Sequence, residues 1–177
     1  VEMMFNEVSN QVEYVLCPAQ ISSEINEKAK KIALKVSESF KQVGLLAVEM
    51  FLTHDNKILI NEVAPRPHNS AHYSIESCIN SQFDQHINSI LDLPLGSSKS
   101  NFYAIMINLV GELGHGGKVV YEGIKEAMLI ENTKLHLYGK SKTKPNRKMG
   151  HATVLDSNLE NALKKAKKIK ELVKVKT

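Results

Sequence analysis

Residues 45–73 read LLAVEMFLTHDNKILINEVAPRPHNSAHY, and this stretch decides how the rest of the chain is interpreted. Two runs rich in apolar and β-branched residues, 45–53 and 57–63, flank the tripeptide His54-Asp55-Asn56. That pattern predicts a β-hairpin. A two-residue turn at Asp55-Asn56 would place His54 opposite Lys57. Counting along both strands from that pair, Glu49 then faces Glu62.

Glu49 and Glu62 are the informative pair of this hairpin. Facing residues of an antiparallel pair point to the same side of the sheet with Cβ atoms about 5 Å apart, where like charges repel. Their strand neighbours are apolar, so we expect something to neutralise them. The spacing leaves three interpretations open: a Mg²⁺ ion with bound phosphates, a proton-sharing general acid/base pair, or an exposed face without function. A slip of one residue in register would remove the pair.

The loop that follows the hairpin is rich in hydrogen-bond donors and is stiffened by two prolines, Pro65 and Pro67. Its donors are the kind that binds an anion beside a metal ion. One of them alone would indicate no more than a hydrogen bond that stabilises the loop. Their density next to two carboxylates favours a binding site. The candidate residues are Arg66, His68, Asn69 and His72.

The remaining pattern predicts an α+β chain in two parts. Helices are expected to begin at Ser22 or Ser23, at the capping box Ser81–Asp84, and at a second capping box formed by Ser157 and Glu160. The run LPLGSSKS at 93–100 is the best candidate for a linker. We therefore predict two domains. Residues 1–96 would form an antiparallel sheet with helices, and residues 97–177 a small mixed α/β domain.

Charge and composition narrow the classes of function. The chain has 177 residues, 42% of them apolar and 24% charged, which is typical of a globular protein. No apolar run approaches the roughly 20 residues of a membrane helix, so no membrane partner is expected. The net charge of +4 is concentrated in a C-terminal helix and in a Gly- and Pro-containing loop that suits a small anion. Neither region interleaves aromatic residues, so no nucleic-acid partner is expected. The basic residues of the loop are Lys140, Lys142, Lys144, Arg147 and Lys148.

Several segments, in this order, resemble the 5-(carboxyamino)imidazole ribonucleotide synthetase family of the ATP-grasp superfamily. The similarity covers nearly the whole chain, which makes it more specific than a single short motif. The resemblance implies that this chain is the C-terminal half of an ATP-grasp module followed by a small C-terminal domain. The segments are NEVAPRPHNS at 61–70, His72-Tyr73, SQF at 81–83, LPLG at 93–96, and GK to PNRKMGH across 139–151.

The resemblance also implies an activity. Such enzymes join bicarbonate to the amine of 5-aminoimidazole ribonucleotide in purine synthesis, cleaving ATP to ADP and phosphate through carboxyphosphate. Glu49 and Glu62 would then hold Mg²⁺ on the phosphates of ATP, and Asn61 and Glu62 would belong to the nucleotide site. The remaining roles fall on two groups. Arg66, His68, Asn69 and His72 would line the bicarbonate and aminoimidazole pocket, and Lys140, Arg147 and Lys148 would bind the 5′-phosphate.

The chain departs from the family pattern at two positions. Many ATP-grasp proteins carry Asn where this chain has Ala64, and family members usually have Gly where it has Ala71. The N-terminal domain and the first half of the ATP-grasp module, with the nucleotide-binding lysines, are not in these 177 residues. We therefore expect the isolated chain to be inactive. The resemblance further implies a homodimer in the cytoplasm.

Two alternatives remain. The first is a formate-dependent glycinamide ribonucleotide transformylase, a sister ATP-grasp enzyme with a similar Pro-Arg-Pro-His run. The second is a non-catalytic module that binds a nucleotide or a phosphate and acts as a scaffold. Retention of both Glu49 and Glu62 together with the whole Arg/His loop favours an enzyme.

Overall fold

The computed structural model describes residues 1–177 as eleven strands, five α-helices and one short 3₁₀ helix. The predicted α+β class with antiparallel sheets is confirmed. The strands are β1 (Glu2–Phe5), β2 (Val12–Cys17), β3 (Ala47–Leu52), β4 (Ile58–Ala64), β5 (Tyr103–Val110), β6 (Gly117–Lys118), β7 (Val120–Glu122), β8 (Thr133–Leu137), β9 (Lys142–Thr143), β10 (Lys148–Asp156) and β11 (Lys174–Lys176). The helices are α1 (Ser23–Phe40), α2 (Ser74–Ser77), α3 (Gln82–Ile90), α4 (Ile124–Met128) and α5 (Leu159–Leu172), and the 3₁₀ helix spans Asn69–Ala71.

The chain divides into two compact units, and the first is built on a five-stranded antiparallel sheet. This unit combines Val1–Pro18 with Ser100–Thr177. Its sheet has the order β1-β2-β5-β10-β8. Strand β5 is central, and its residues 104–109 are buried on both faces; all of them are apolar except Asn108. Helix α5 packs against β5 and β10. The fully buried side chains of this core include Ile105, Ile107, Met149, Val154 and Ile169.

The second unit, Ala19–Lys99, contains α1, the β3–β4 hairpin, the loop after it, and helices α2 and α3. Helix α1 buries none of its residues completely. The main chain before β3 is tied to α3, since the Leu45 N–H donates to His86 Nδ1 at 3.2 Å. The predicted division into functional domains at residues 96 and 97 stays a prediction.

The hairpin turn differs from the predicted one. His54, Asp55 and Asn56 form a three-residue loop, closed by a hydrogen bond from the Thr53 N–H to the Lys57 carbonyl at 2.9 Å. Asn56 has a φ of 58°, a left-handed conformation that Asn tolerates better than most residues. The Thr53 hydroxyl stabilises the loop by accepting from the Lys57 N–H and donating to Asp55. The predicted facing of His54 and Lys57 is therefore wrong by one position.

The helix starts were predicted with mixed success. Ser22 caps α1, and Ser81 with Asp84 forms the predicted capping box at α3. The Ser81 hydroxyl and N–H donate to the Asp84 carboxylate and hold the pKa of Asp84 below its usual value. The second capping box is wrong. Helix α5 is capped by Asn158, whose side chain accepts from the Asn161 N–H.

No helix of the structure combines the length and the apolar character that crossing a membrane requires. Neither cysteine forms a disulfide.

Replacing Ile107 by Ala should destabilise the first unit. Ile107 is 0% exposed at the centre of the sheet, so the change leaves a cavity and should cost about 2–5 kcal/mol of unfolding free energy. Leu129→Ala is the control, because Leu129 is 86% exposed and its loss should cost under about 0.5 kcal/mol. Guanidinium unfolding followed by circular dichroism measures both. Equal effects of the two changes would contradict this description of the core.

Candidate functional site

A β-bulge in the hairpin brings the candidate metal ligands together. Val48 pairs with Val63 and Met50 pairs with Ile60. Between these pairs β3 has one residue, Glu49, whereas β4 has two. In a bulge of this kind two residues of one strand oppose a single residue of the partner strand. The bulge thus reverses the one-residue shift introduced by the turn, and Glu49 is opposed by Asn61 and Glu62 together.

The carboxylates of Glu49 and Glu62 lie beside the imidazole of His68. One potential ligand atom from each of these three residues lies within 4.8 Å of the other two. His68 Nε2 is 3.5 Å from Glu49 Oε1 and 3.8 Å from Glu62 Oε1. Glu49 and His68 are well covered, with side chains 13% and 12% exposed, whereas the side chain of Glu62 is 61% exposed. One carboxylate therefore lies inside the cluster and the other at its open edge.

Asn61 joins the same cluster through the bulge. Its Nδ2 donates to Glu49 Oε2 at 3.4 Å, a long hydrogen bond. Because the bulge lets two consecutive residues of β4 face one residue of β3, Asn61 and Glu62 can both reach Glu49. Asn61, which precedes the candidate metal ligand Glu62 in sequence, thereby contacts the other candidate ligand, Glu49.

The two carboxylates suit a hard divalent cation. Mg²⁺ prefers oxygen ligands and commonly takes one or two carboxylates together with phosphate oxygens. Imidazole is a softer ligand, favoured by other metals. His68 is therefore better suited to donate a hydrogen bond to a carboxylate or to a bound anion. The structure brings His68 into the cluster, whereas the sequence had assigned it only to the substrate pocket.

The donor residues of the loop have different surroundings. Arg66 is exposed, and its Nη1 donates to the Pro67 carbonyl at 3.1 Å. His68 precedes the 3₁₀ helix Asn69–Ala71, and its Nδ1 is 2.9 Å from the Ser70 hydroxyl. Asn69 is half-buried, and its carbonyl accepts from the His72 N–H at 3.1 Å. The loop is thus a folded turn with its own hydrogen bonds.

Ala71 fits this turn without strain. It has no positive φ, so its backbone conformation does not require glycine. Its carbonyl accepts from the Ser74 hydroxyl at 2.6 Å, which links the loop to α2. The departure from the family's usual glycine is therefore compatible with the folded loop.

Gln82 is a residue of this region to which the sequence pattern assigned no role. It is 7% exposed at the first position of α3. Its Oε1 accepts from the His68 N–H at 2.8 Å, and its Nε2 donates to the His68 carbonyl at 3.0 Å. Nε2 also lies 2.7 Å from His72 Nδ1, and the His72 ring stacks on Phe83 with centroids 5.9 Å apart. The sequence carried two signals: a polar residue directly after a strong helix cap, and the place of Gln82 in the segment SQF at 81–83 that resembles the family.

The three candidate phosphate-binding residues lie in the first unit, around the loop between β8 and β10. Lys140 Nζ donates to the Lys148 carbonyl at 2.6 Å and lies 5.5 Å from the centroid of the Tyr138 ring. Arg147 Nη1 donates to the Lys142 carbonyl at 2.8 Å. Lys140 thus contacts the main chain of Lys148, next to Arg147, and all three residues belong to a different unit from the carboxylate cluster.

Two family models match the chain. The model of the ATP-grasp domain covers residues 3–83, and the model of the phosphoribosylaminoimidazole carboxylase C-terminal domain covers residues 104–165.

Characterised relatives agree with these matches. The N5-carboxyaminoimidazole ribonucleotide synthase of Bacillus subtilis is 44% identical over 140 residues, covering 79% of this chain and 35% of the relative. The phosphoribosylaminoimidazole carboxylase of Saccharomyces cerevisiae is 40% identical over 147 residues, covering 80% of this chain and 25% of the relative. The chain therefore spans about a third or less of the length of these relatives.

Solved structures of the same description share the fold. N5-carboxyaminoimidazole ribonucleotide synthetase from Thermotoga maritima matches with a TM-score of 0.89 and 49% identity over 93% of this chain and 46% of that one. The Aspergillus clavatus enzyme, solved with ADP and 5-aminoimidazole ribonucleotide, matches with a TM-score of 0.85 and 35% identity over 96% of this chain and 45% of that one. These matches do not favour the formate-dependent transformylase. The chain belongs to the N5-carboxyaminoimidazole ribonucleotide synthetase family of ATP-grasp proteins.

Proposed function

We propose that the protein containing this chain is an ATP-dependent carbon–nitrogen ligase that carboxylates 5-aminoimidazole ribonucleotide with bicarbonate. The observation that carries the proposal is the cluster of Glu49 and Glu62, on the bulged hairpin, with His68, in the donor-rich loop after it. One potential ligand atom from each lies within 4.8 Å of the other two. Family membership supplies the reaction, since the relatives bear the name of this synthetase.

In this proposal Glu49 and Glu62 hold Mg²⁺ on the phosphates of ATP. The magnesium ion would neutralise negative charge on the transferred phosphoryl group, which is the main requirement of such reactions. Asn61 would orient Glu49 through their hydrogen bond and line the nucleotide site. The low exposure of Glu49 strengthens its attraction to a cation, because nearby water would otherwise screen the charge.

Bicarbonate is a poor electrophile, so it must be activated before the amine can attack it. A bicarbonate oxygen attacks the γ-phosphorus of ATP, the bond to ADP breaks, and carboxyphosphate forms. The amine nitrogen then attacks the carboxyl carbon, phosphate leaves with the electrons of its bond to that carbon, and the nitrogen loses a proton. Carboxyphosphate can also release CO₂, which the amine captures directly.

The loop residues would place bicarbonate and the aminoimidazole in line for these steps. Arg66 carries a permanent positive charge suited to an anion, and His68 donates from Nε2 on the side of the carboxylates. Asn69 and His72 would contact the aminoimidazole. Fixed donors contribute to rate because they hold the reacting atoms together without further ordering.

Lys140, Arg147 and Lys148 would bind the 5′-phosphate of the ribonucleotide. Lys140 and Arg147 are already oriented by backbone carbonyls, which lowers the cost of ordering them around a phosphate. We assign residues 1–96 to the ATP-grasp part and residues 97–177 to substrate phosphate binding. The relatives are longer than this chain, so we also propose that these 177 residues alone do not turn over. We further propose, from the family resemblance, that the whole protein acts as a cytoplasmic homodimer.

Glu62→Gln should abolish activity in the whole protein. The change preserves shape but removes one of two negative charges that bind the cation, so we expect kcat to fall at least about 100-fold. Release of ADP should require 5-aminoimidazole ribonucleotide and bicarbonate together. Glu38→Gln is the control, since Glu38 is an exposed carboxylate on α1. Stimulation by formate and glycinamide ribonucleotide instead would establish the transformylase.

Arg147→Ala should raise the KM for 5-aminoimidazole ribonucleotide about 10- to 100-fold, because a charge-assisted hydrogen bond is worth about 1.5–3 kcal/mol. The kcat should change much less. Lys164→Ala is the control, since the side chain of Lys164 is 70% exposed on α5. The nucleoside without its phosphate should be used equally well by the wild type and by Arg147→Ala. An equal loss with both substrates would contradict a role in phosphate binding.

A further inference from the structure

The side-chain amide of Gln82 makes three hydrogen bonds to the loop after the hairpin (residues 64–72), all of them to His68 and His72. We propose that Gln82 is a positioning residue: it fixes the main chain at His68 and holds His72 as the tautomer that carries its proton on Nε2. This inference rests on the proposed function only for its catalytic consequence. The orientation of the two histidines follows from the geometry.

The pairing with His68 leaves no ambiguity in the orientation of the amide. The Gln82 oxygen faces the His68 N–H, and the Gln82 nitrogen faces the His68 carbonyl. A flipped amide would set donor against donor and acceptor against acceptor. The amide thus satisfies both main-chain groups of one residue, as a neighbouring β-strand would.

The same orientation determines the state of His72. The Gln82 nitrogen carries two hydrogens, and one of them is used by the His68 carbonyl. The other points to His72 Nδ1, 2.7 Å away, so Nδ1 must accept. A neutral ring then carries its proton on Nε2. Nε2 is therefore the ring nitrogen of His72 that donates.

Gln82 is itself held from the other side. Its N–H donates to the Ser74 hydroxyl at 2.9 Å, and that hydroxyl donates to the Ala71 carbonyl at 2.6 Å. The capping box of Ser81 and Asp84 fixes the first turn of α3, where Gln82 lies. The amide is thus attached to a rigid helix start, and at 7% exposure it has little water to replace its partners.

The Gln82 contacts also affect the carboxylate cluster, because His68 contacts both Gln82 and Glu49. Its main chain is held by Gln82, while its ring lies 3.5 Å from Glu49. A displacement of the reacting groups by about 1 Å can lower a rate about 100-fold. Loss of the Gln82 contacts should therefore reduce kcat while leaving the KM for ATP nearly unchanged, because no ATP ligand is removed.

Gln85 provides a matched control on the same helix. Its Nε2 donates to the Gly96 carbonyl at 2.5 Å, and its Oε1 accepts from the Gly96 N–H at 3.1 Å. Gln85 therefore makes the same type of amide-to-backbone pair as Gln82. Its partner belongs to the segment after α3 and not to the loop at residues 64–72. The variants Gln82→Glu and Gln85→Glu lose equivalent donors and gain equivalent charges.

The first measurement is the ¹⁵N NMR spectrum of the imidazole nitrogens in the 177-residue chain at pH 8, without substrate. The wild type should show His72 with its proton on Nε2. Gln82→Glu should move proton density to Nδ1, because a carboxylate accepts where the amide donated. Gln85→Glu should leave His72 unchanged. A wild-type His72 protonated on Nδ1 would overturn the proposal even if no variant folds.

The second measurement is turnover by the whole protein with ATP, bicarbonate and 5-aminoimidazole ribonucleotide. Gln82→Glu should lower kcat about 100-fold with the KM for ATP within about threefold of wild type, and Gln85→Glu should stay within about threefold in both constants. Equal losses in the two variants would overturn a positioning role for Gln82. Absence of turnover in the wild type, with the NMR result as expected, would refute the proposed function and leave the assignment of the histidines intact.

Discussion

The carboxylate cluster of the second unit is governed by the mutual repulsion of Glu49 and Glu62, which one hairpin holds side by side. Glu49 and Glu62 cannot move apart freely, because the paired strands β3 and β4 fix their main chains. His68 lies against both of them but is charged only when it is protonated. A hairpin built in this way attracts a cation, and binding such a cation relieves the repulsion between the two carboxylates.

The sequence predicted the carboxylate pair but not the loop length and the bulge that together bring the two carboxylates opposite each other. Alternating and β-branched residues on either side of His54-Asp55-Asn56 were sufficient to predict the hairpin. The loop length was not, because Asn56 can occupy the left-handed conformation of either a two- or a three-residue connection. The bulge at Asn61 and Glu62 has no distinctive residue type. The two one-residue errors cancel, so Glu49 and Glu62 meet although the register between the turn and the bulge differs from the prediction.

The contacts of Gln82 could not be predicted from the sequence for a different reason. Its partner His68 lies 14 residues away in sequence, in a loop whose path no periodicity describes. A buried amide satisfies whichever main-chain groups the loop presents, and those groups are known only once the loop has folded. The cap at Ser81 was predictable because its partner, Asp84, is local. The misplaced start of α5 was also a local choice, between Ser157 and Asn158, which are both good caps.

The basic loop of the first unit has a further electrostatic consequence. Lys140 and Arg147 are oriented by the carbonyl oxygens of Lys148 and Lys142, and these acceptors are neutral dipoles. An acidic side chain in the same place would have oriented the cations equally well but would have cancelled their charge. These two side chains are therefore ordered by partners that leave their charge uncompensated, and an incoming anion need not displace a carboxylate from either of these two contacts.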